Sequence, residues 1–327
     1  MTERGVITRR DFLRRTARIG VSALAGAGVA GLCFDPAGPA PKTAESAAVR
    51  SFDFSIPGQT PQIAVVRGSD RKETLRRAFD ALGGIEQFIA PGDRVLVKVN
   101  AAFSSPAMLG ATSHPELVFE AARHCFSAGA RSVTVADNPI NDPSACFTLT
   151  GIADAAQKAG AVVMLPRPQR FDRISIPEGR LILNWPVFSA PLTGADKVIG
   201  LAPVKDHHRS GASMSLKNWY GLLGGRRNLF HQDIHGIIRE LSILVRPTLV
   251  VLDGTVSMIA NGPTGGSLSD LKQTDTLIVS TDPVAADVLG ARLLGLSPAQ
   301  LPFIGEAAAA GAGIAEVDRL NIKELKL

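Results

Sequence analysis

From residue 63 onward, short apolar runs alternate with longer stretches whose apolar positions recur every three or four residues. The short runs predict strands at Ile63–Val66, Arg94–Val99, Ser132–Ala136, Ala161–Leu165, Lys197–Pro203, Thr248–Leu252 and Thr276–Ser280. The periodic stretches predict helices at Arg71–Phe88, Pro115–Ala128, Ile152–Ala159, Ser215–Leu223, Ile234–Val245, Pro283–Leu294 and Pro298–Ala310. Pro115 stands in a first turn, and Gly129 follows the end of the same helix. Between Arg173 and Phe188 the pattern is irregular and predicts a small β insertion of short antiparallel strands. Near-continuous apolar strands alternating with helices predict an α/β fold. Its sheet is mostly parallel, with helices on both faces in Rossmann-like layers.

Polar residues fall just past the predicted strand ends. Asn100 follows Arg94–Val99, and Asp137 follows Ser132–Ala136. Lys205 and His207 follow Lys197–Pro203, Asp253 follows Thr248–Leu252, and Asp282 follows Thr276–Ser280. Open α/β sheets bind ligands outside the carboxyl ends of their strands, so these residues form one candidate site. The densest part is Ala195 to Gly221, where an apolar strand ends in Lys205-Asp206-His207-His208 and Ser215-Leu216-Lys217-Asn218 opens a helix.

Lys217 sits in the first turn of that helix, with Ser213 or Ser215 as cap. A cation there opposes the helix dipole unless an anion binds, and Lys98, Lys205 and Arg209 would add charge for it. The bland alternative is a solvated lysine on a turn. His207 suits a general base or a metal ligand, and His208 reads equally well as loop. His114 either faces the same edge or only caps a helix, and His124 reads as structural. His231 and His235 have metal-ligand spacing, but Asp233 reads as a cap between them. Asp282-Pro283 is explained by an N-cap with Pro at the first helical position, whereas Asp253-Gly254 reads either as a turn or as a site residue at the end of its apolar strand. Asn261-Gly262-Pro263-Thr264-Gly265-Gly266 lacks the ending of a P-loop, so it reads as a turn or a backbone-lined ligand wall.

The N-terminal residues differ in kind. Thr8-Arg9-Arg10-Asp11-Phe12-Leu13-Arg14 resembles a twin-arginine export signal, followed by a Gly/Ala-rich apolar run from Ile19 to Phe34. That run is shorter than the roughly 20 residues of a membrane span, so no stable transmembrane segment is expected after its removal. The expected organisation is a signal over 1–34, a linker over 35–50, and a single α/β domain over 51–327. The twin-arginine machinery becomes an expected partner, and the periplasm or another exported compartment the expected location. The signal also contains Gly26-Ala27-Gly28-Val29-Ala30-Gly31, a G-x-G-x-x-G match with no preceding strand, which is rejected as a dinucleotide site.

Composition narrows the function. The chain of 327 residues is 45% hydrophobic and 20% charged, an ordinary globular balance. Its net charge is +5, but residues 1–48 hold seven basic and four acidic residues, so most of the excess lies in the leader. No basic patch interleaved with aromatics occurs, which argues against nucleic acid as a partner. Three cysteines without a C-x-x-C pair argue against an iron–sulfur cluster or a thiolate zinc site on this chain. Cys125 and Cys146 could pair in an oxidising compartment, although Cys125 reads as a buried helix position. No G-x-S-x-G elbow is present.

Several motifs occur in a fixed order: Val97-Lys98-Val99-Asn100, the Ser113–Asp137 unit, Lys205-Asp206-His207 with Ser215-Leu216-Lys217-Asn218, Asp253-Gly254 with Asn261-Gly262-Pro263, and Asp282-Pro283-Val284-Ala285-Ala286-Asp287. Together they resemble the DUF362 family, a bacterial and archaeal group of unknown function, from about Ile63 to Leu296. Many members of that family carry ferredoxin-type cysteine motifs, which this chain lacks. The combined expectation is an exported protein binding a small anionic ligand, with a metal ion as a further candidate cofactor. Lys205, His207 and Lys217 are the catalytic candidates for lyase or isomerase chemistry. Lys98, Asn100, His114, Asn218, Asp253, Asn261 and Asp282 are the ligand-binding candidates. The alternatives are a non-catalytic periplasmic metal- or cofactor-binding accessory protein, and a redox partner of a separate iron–sulfur protein.

Overall fold

The computed structural model describes residues 8–33 and 48–327. The chain divides into two units, Met1–Pro39 and Ala40–Leu327. In the first, Arg9–Cys33 forms one helix containing the twin arginines. No described helix is long and apolar enough to cross a membrane. Residues 35–47 of the expected linker lie outside the described residues, whereas Ala48–Val49 already forms a strand.

The second unit is built on a nine-stranded sheet. Its strands are β1 (Ile63–Arg67), β2 (Arg94–Lys98), β3 (Ser132–Ala136), β4 (Val162–Met164), β5 (Lys197–His207), β6 (Gly211–Ser213), β7 (Leu249–Met258), β8 (Leu271–Ser280) and β9 (Ile322–Lys326). The order across the sheet is β9-β1-β8-β7-β5-β2-β3-β4, with β6 folded back on β5. All main strands run parallel except β8, which is antiparallel to both neighbours. A mixed sheet of mostly parallel strands is therefore present as the apolar runs predict.

Alternation along the strands divides the interior into two cores. Val198, Ala202 and Val204 of β5 face one, and Ile199 and Leu201 face the other. The second core is covered by α1 (Arg71–Ala81), α2 (Pro115–Ser127) and α3 (Ile152–Lys158). The first is covered by α4 (Ser215–Asn218), α5 (Ile234–Leu244), α6 (Pro283–Leu293) and α7 (Pro302–Ala309). The irregular segment forms strands Asp172–Ser175 and Trp185–Val187, which with Ala48–Val49 make a separate three-stranded sheet. The Glu240 carboxylate of α5 anchors it by accepting the backbone N–H groups of Arg180, Leu181 and Ile182.

Some boundaries differ from the pattern. The helix expected over Arg71–Phe88 stops at Ala81, because Gly83 and Gly84 take positive φ; a short 3-10 turn follows at Ile85–Gln87. The strand expected to end at Pro203 continues to His207 and hairpins into β6, so the Lys-Asp-His sequence is strand rather than loop. The helix expected over Ser215–Leu223 is one α turn followed by a 3-10 turn over Trp219–Leu222. β9 and the helix Pro143–Leu149 are additional elements. Cys125 and Cys146 are both buried and free, so they do not pair.

Candidate functional site

A cavity of about 220 Å³ lies at the carboxyl edge, on the sheet face covered by α4. Its walls include Lys98, Asn100, Phe103, Asp137, Lys205, His207, Lys217, Asn218, Tyr220, Arg227 and His231. Among the described residues, four cationic side chains thus surround a single carboxylate, Asp137. What each cation touches separates structural from available groups.

Lys98 is fully engaged. Its ammonium lies 2.7 Å from Asp137 Oδ1 and donates to the carbonyls of Val99 and Asn218 at 2.8 and 2.6 Å. The contact with Oδ1 is close but lies outside hydrogen-bond geometry, so it is an ion pair rather than an aligned hydrogen bond. Asp137 Oδ2 accepts the backbone N–H of Ala101. Burial lowers the Lys98 pKa, and Asp137 opposes that shift. Gly221 makes room for the pair, since a Cβ there would stand 2.0 Å from Asp137 Oδ1 and 2.7 Å from Lys98 Nζ. Asn218 also works as a clamp. It donates to the carbonyls of Lys98 and Leu201 at 3.2 and 3.3 Å, tying β2 to β5.

Lys205 and Lys217 are differently placed. Lys205 donates to the carbonyls of Ala111 and Pro263 and lies 5.1 Å from the Phe103 ring centroid. Lys217 stands 4.9 Å over the Tyr220 ring and has no hydrogen-bond acceptor or carboxylate among the described residues. Burial pulls both ammonium groups down to about 7, helped by neighbouring cations: Lys217 and Lys98 for Lys205, Arg227 and Lys98 for Lys217. Arg227 reaches the carbonyls of Leu223 and Pro139. The Asn100 side-chain oxygen is buried without a partner.

Three imidazoles complete the wall. His207 stacks on His208 at 5.1 Å and on His231 at 5.9 Å, with rings within 11° of parallel. His207 Nδ1 accepts the backbone N–H groups of Arg209 and Ser210, which assigns the proton to Nε2. Burial, Lys217 and Lys205 hold its pKa down to about 2, so His207 is a neutral N–H donor rather than a titrating base. Stacked rings direct their nitrogen lone pairs in parallel planes, not toward a common point. Among the described residues no group of three or more His, Cys, Asp or Glu is arranged to hold a metal ion.

The anion site expected at the helix N-terminus is replaced by an internal one. The backbone N–H groups of Ser215 and Leu216 donate to Asp287 of α6, and the Ser215 hydroxyl bonds the same carboxylate. Neither Ser213 nor Ser215 is the cap; Met214 holds that position, and Lys217 lies at the end of the single turn. Burial raises the Asp287 carboxyl to about 7.

Lys98, Asn100, Lys205, His207, Lys217 and Asn218 line one cavity; the remaining candidates lie elsewhere. Asp253 shares strand parity with Leu249 and Val251 and faces the α1–α2 side. There it pairs with Arg71 at 2.9 Å and lines a separate cleft with Thr112 and His114. Asp282 ends β8, whose reversed direction puts its carboxyl end at the opposite edge; it caps α6 and accepts the Ile314 N–H. Asn261 donates to Asp270 at 2.7 Å, while Pro263 of the same loop reaches the cavity. His235 stacks on Phe303 and is not joined to His231. Arg227, Tyr220 and Phe103 are site residues that no motif marked, and His231 was marked only by its spacing to His235. They sit in non-periodic loops and 3-10 turns, and Asp137 alone had the strand-end signal.

The motif order that suggested a family has a direct counterpart in known proteins. The family described as "Domain of unknown function (DUF362)" matches residues 95–292. That span runs from β2 to α6 and contains every charged side chain of the cavity and the Asp287 support. The chain is also similar to a protein named "Thylakoid-associated protein" from Synechocystis sp. They are 28% identical over 245 residues, covering 70% of this chain and 71% of that protein. The chain belongs to the DUF362 family.

Proposed function

We propose that this DUF362 protein binds a small anionic group, a carboxylate or phosphate, in the inner cavity. The observation that carries this reading is Lys217, a buried side chain lining the cavity whose ammonium has neither carboxylate nor hydrogen-bond acceptor among the described residues. An uncompensated buried charge costs several kcal/mol, and a bound anion removes that cost. Lys205 and the His207 Nε2–H supply further donors beside it. Charge-assisted hydrogen bonds of this kind contribute about 1.5–3 kcal/mol each. The unpartnered Asn100 oxygen favours a ligand that also carries a hydroxyl. Lys98 and Asn218 hold the strand ends rather than the ligand.

Lys205 and Lys217, both drawn down to about 7, are the groups able to exchange a proton near neutral pH with a carbon next to the bound anion, as a lyase or isomerase requires. The neutral, pinned His207 leaves that role to lysine. We further propose export through the twin-arginine machinery, on the strength of Arg9-Arg10 and the apolar run that follows. No comparable observation favours the metal-binding or redox-partner alternatives. The test is calorimetric titration with inorganic phosphate and with acetate. Wild type gains saturable binding, and Lys217→Met weakens it by about tenfold or more, the loss expected for one charge-assisted contact. Absence of binding to either probe, or an unchanged affinity in Lys217→Met, would overturn the reading.

A further inference from the structure

The inner cavity opens into an outer cleft of about 730 Å³. Asn138, Ile140, Tyr220, Arg227 and His231 line both spaces. The two differ in chemistry. The outer walls are the rings of Pro139, Pro168, Phe171 and Pro186, with the backbone of Gly224 and Gly225. Among the described residues no carboxylate and no lysine lines the cleft; its charge, Arg227, stands where it meets the inner cavity. Phe171 is held in place by stacking on Phe188 at 5.3 Å. Gly224 keeps that wall flat, because a Cβ there would lie 2.8 Å from the Phe171 ring.

This gradient has a direct reading. The inner cavity is large enough for a charged group and a few further atoms, and its lysines demand a negative charge. The outer cleft has more than three times the volume and presents flat apolar rings. Small-molecule sites are predominantly apolar, with a few polar groups that fix orientation. Water held against the proline and phenylalanine faces is released when an apolar body covers them.

We propose that the ligand is an anion joined to a ring-bearing apolar body. The anionic group sits at Lys205 and Lys217, and the body lies in the outer cleft against Phe171, Pro168 and Pro186. This inference rests on the anion reading above and narrows it, since free phosphate or acetate fills only the inner part.

The experiment is calorimetric titration of the full chain with inorganic phosphate, phenyl phosphate and naphthyl phosphate at constant pH and ionic strength. Acetate, benzoate and naphthoate form a matched set that identifies the preferred anionic group. Affinity rises from the bare anion to the naphthyl compound by at least about tenfold, the scale expected for burying a ring. Phe171→Ala lowers the ratio of naphthyl to bare-anion affinity. Ile140→Ala lowers it too; that side chain is exposed, so its loss leaves the core intact. Affinity independent of the ring in wild type would overturn this inference and leave the anion reading standing. An unchanged ratio in both variants would also overturn it. Failure of every compound to bind would overturn both.

Discussion

Two clefts of nearly equal size open at the same sheet edge on opposite faces. One, of about 210 Å³, contains Arg71, Thr112, His114 and Asp253. The other, of about 220 Å³, contains Lys98, Lys205, Lys217, Arg227 and Asp137. Size does not distinguish them; charge balance does. In the first, the one guanidinium meets the one carboxylate at 2.9 Å, and the cleft is electrostatically complete. In the second, Asp137 answers Lys98, and Lys205 and Lys217 remain without a counter-charge. A cleft that satisfies its own charges gives a ligand little to gain, whereas one that does not is poised for an anion.

The comparison can be broken most forcefully at Gly221. Gly221→Ala drives a methyl group into the Lys98–Asp137 pair and lowers stability by about 3–5 kcal/mol, the cost of breaking a buried ion pair. Denaturant unfolding measures this, and a loss below about 1 kcal/mol would remove the pair from its structural role. Lys217→Met works in the opposite direction. It raises the stability of the ligand-free protein by about 1 kcal/mol or more, because an apolar chain replaces an uncompensated charge. Destabilisation in the same assay would mean that Lys217 has a partner in the folded protein.

Acidity sharpens the contrast. Lys205 and Lys217 titrate near 7 in the folded protein and at 10.5 as ordinary lysines. Between those values the unfolded chain binds more protons, so ligand-free stability rises with pH from about 7 toward 10.5. Anion affinity moves the other way, falling as pH rises above 7 and the ammonium groups that face Lys98, Asp137 and Arg227 lose their protons. Thermal melts with and without phosphate across this range test both slopes, and parallel slopes would contradict the assignment. The smallest effect belongs to the balanced cleft. Asp253→Asn changes anion affinity by less than about twofold, since its partner is Arg71 on the other face. A large change would join the two clefts into one site.

The location of the cavity was legible because parallel strands end at a common edge. Asn100, Lys205 and His207 were readable from that rule, Lys98 as added charge for an anion, and Lys217 with Asn218 from the helix that follows β5. Asp253 was not separable from them by strand ends. Counting parity separates it from Lys98, since it points with Leu249 and Val251 while Lys98 points with Leu96, but not from Lys205 and His207, which share parity with Ile199 and Leu201. Asp282 misled for a different reason: hydrophobic alternation carries no sign of strand direction, and β8 runs backward. Arg227 and His231 belong to a non-periodic segment whose position is set by tertiary contacts, and Tyr220 lies where the expected helix becomes a 3-10 turn. The anion-binding turn was misread because its counter-charge, Asp287, lies 72 residues beyond Ser215.

That separation has a consequence for how the cavity is held together. Lys98 meets Asn218 across 120 residues, and the turn bearing Lys217 is held by a carboxylate 72 residues beyond Ser215. The lysines that line the cavity are therefore gathered by segments far apart in the chain, and the turn that carries Lys217 is fixed only where α6 packs against it. Without Asp287 the turn that carries Lys217 would lose the acceptor of its first backbone N–H groups, so the cavity wall depends on a helix far along the chain.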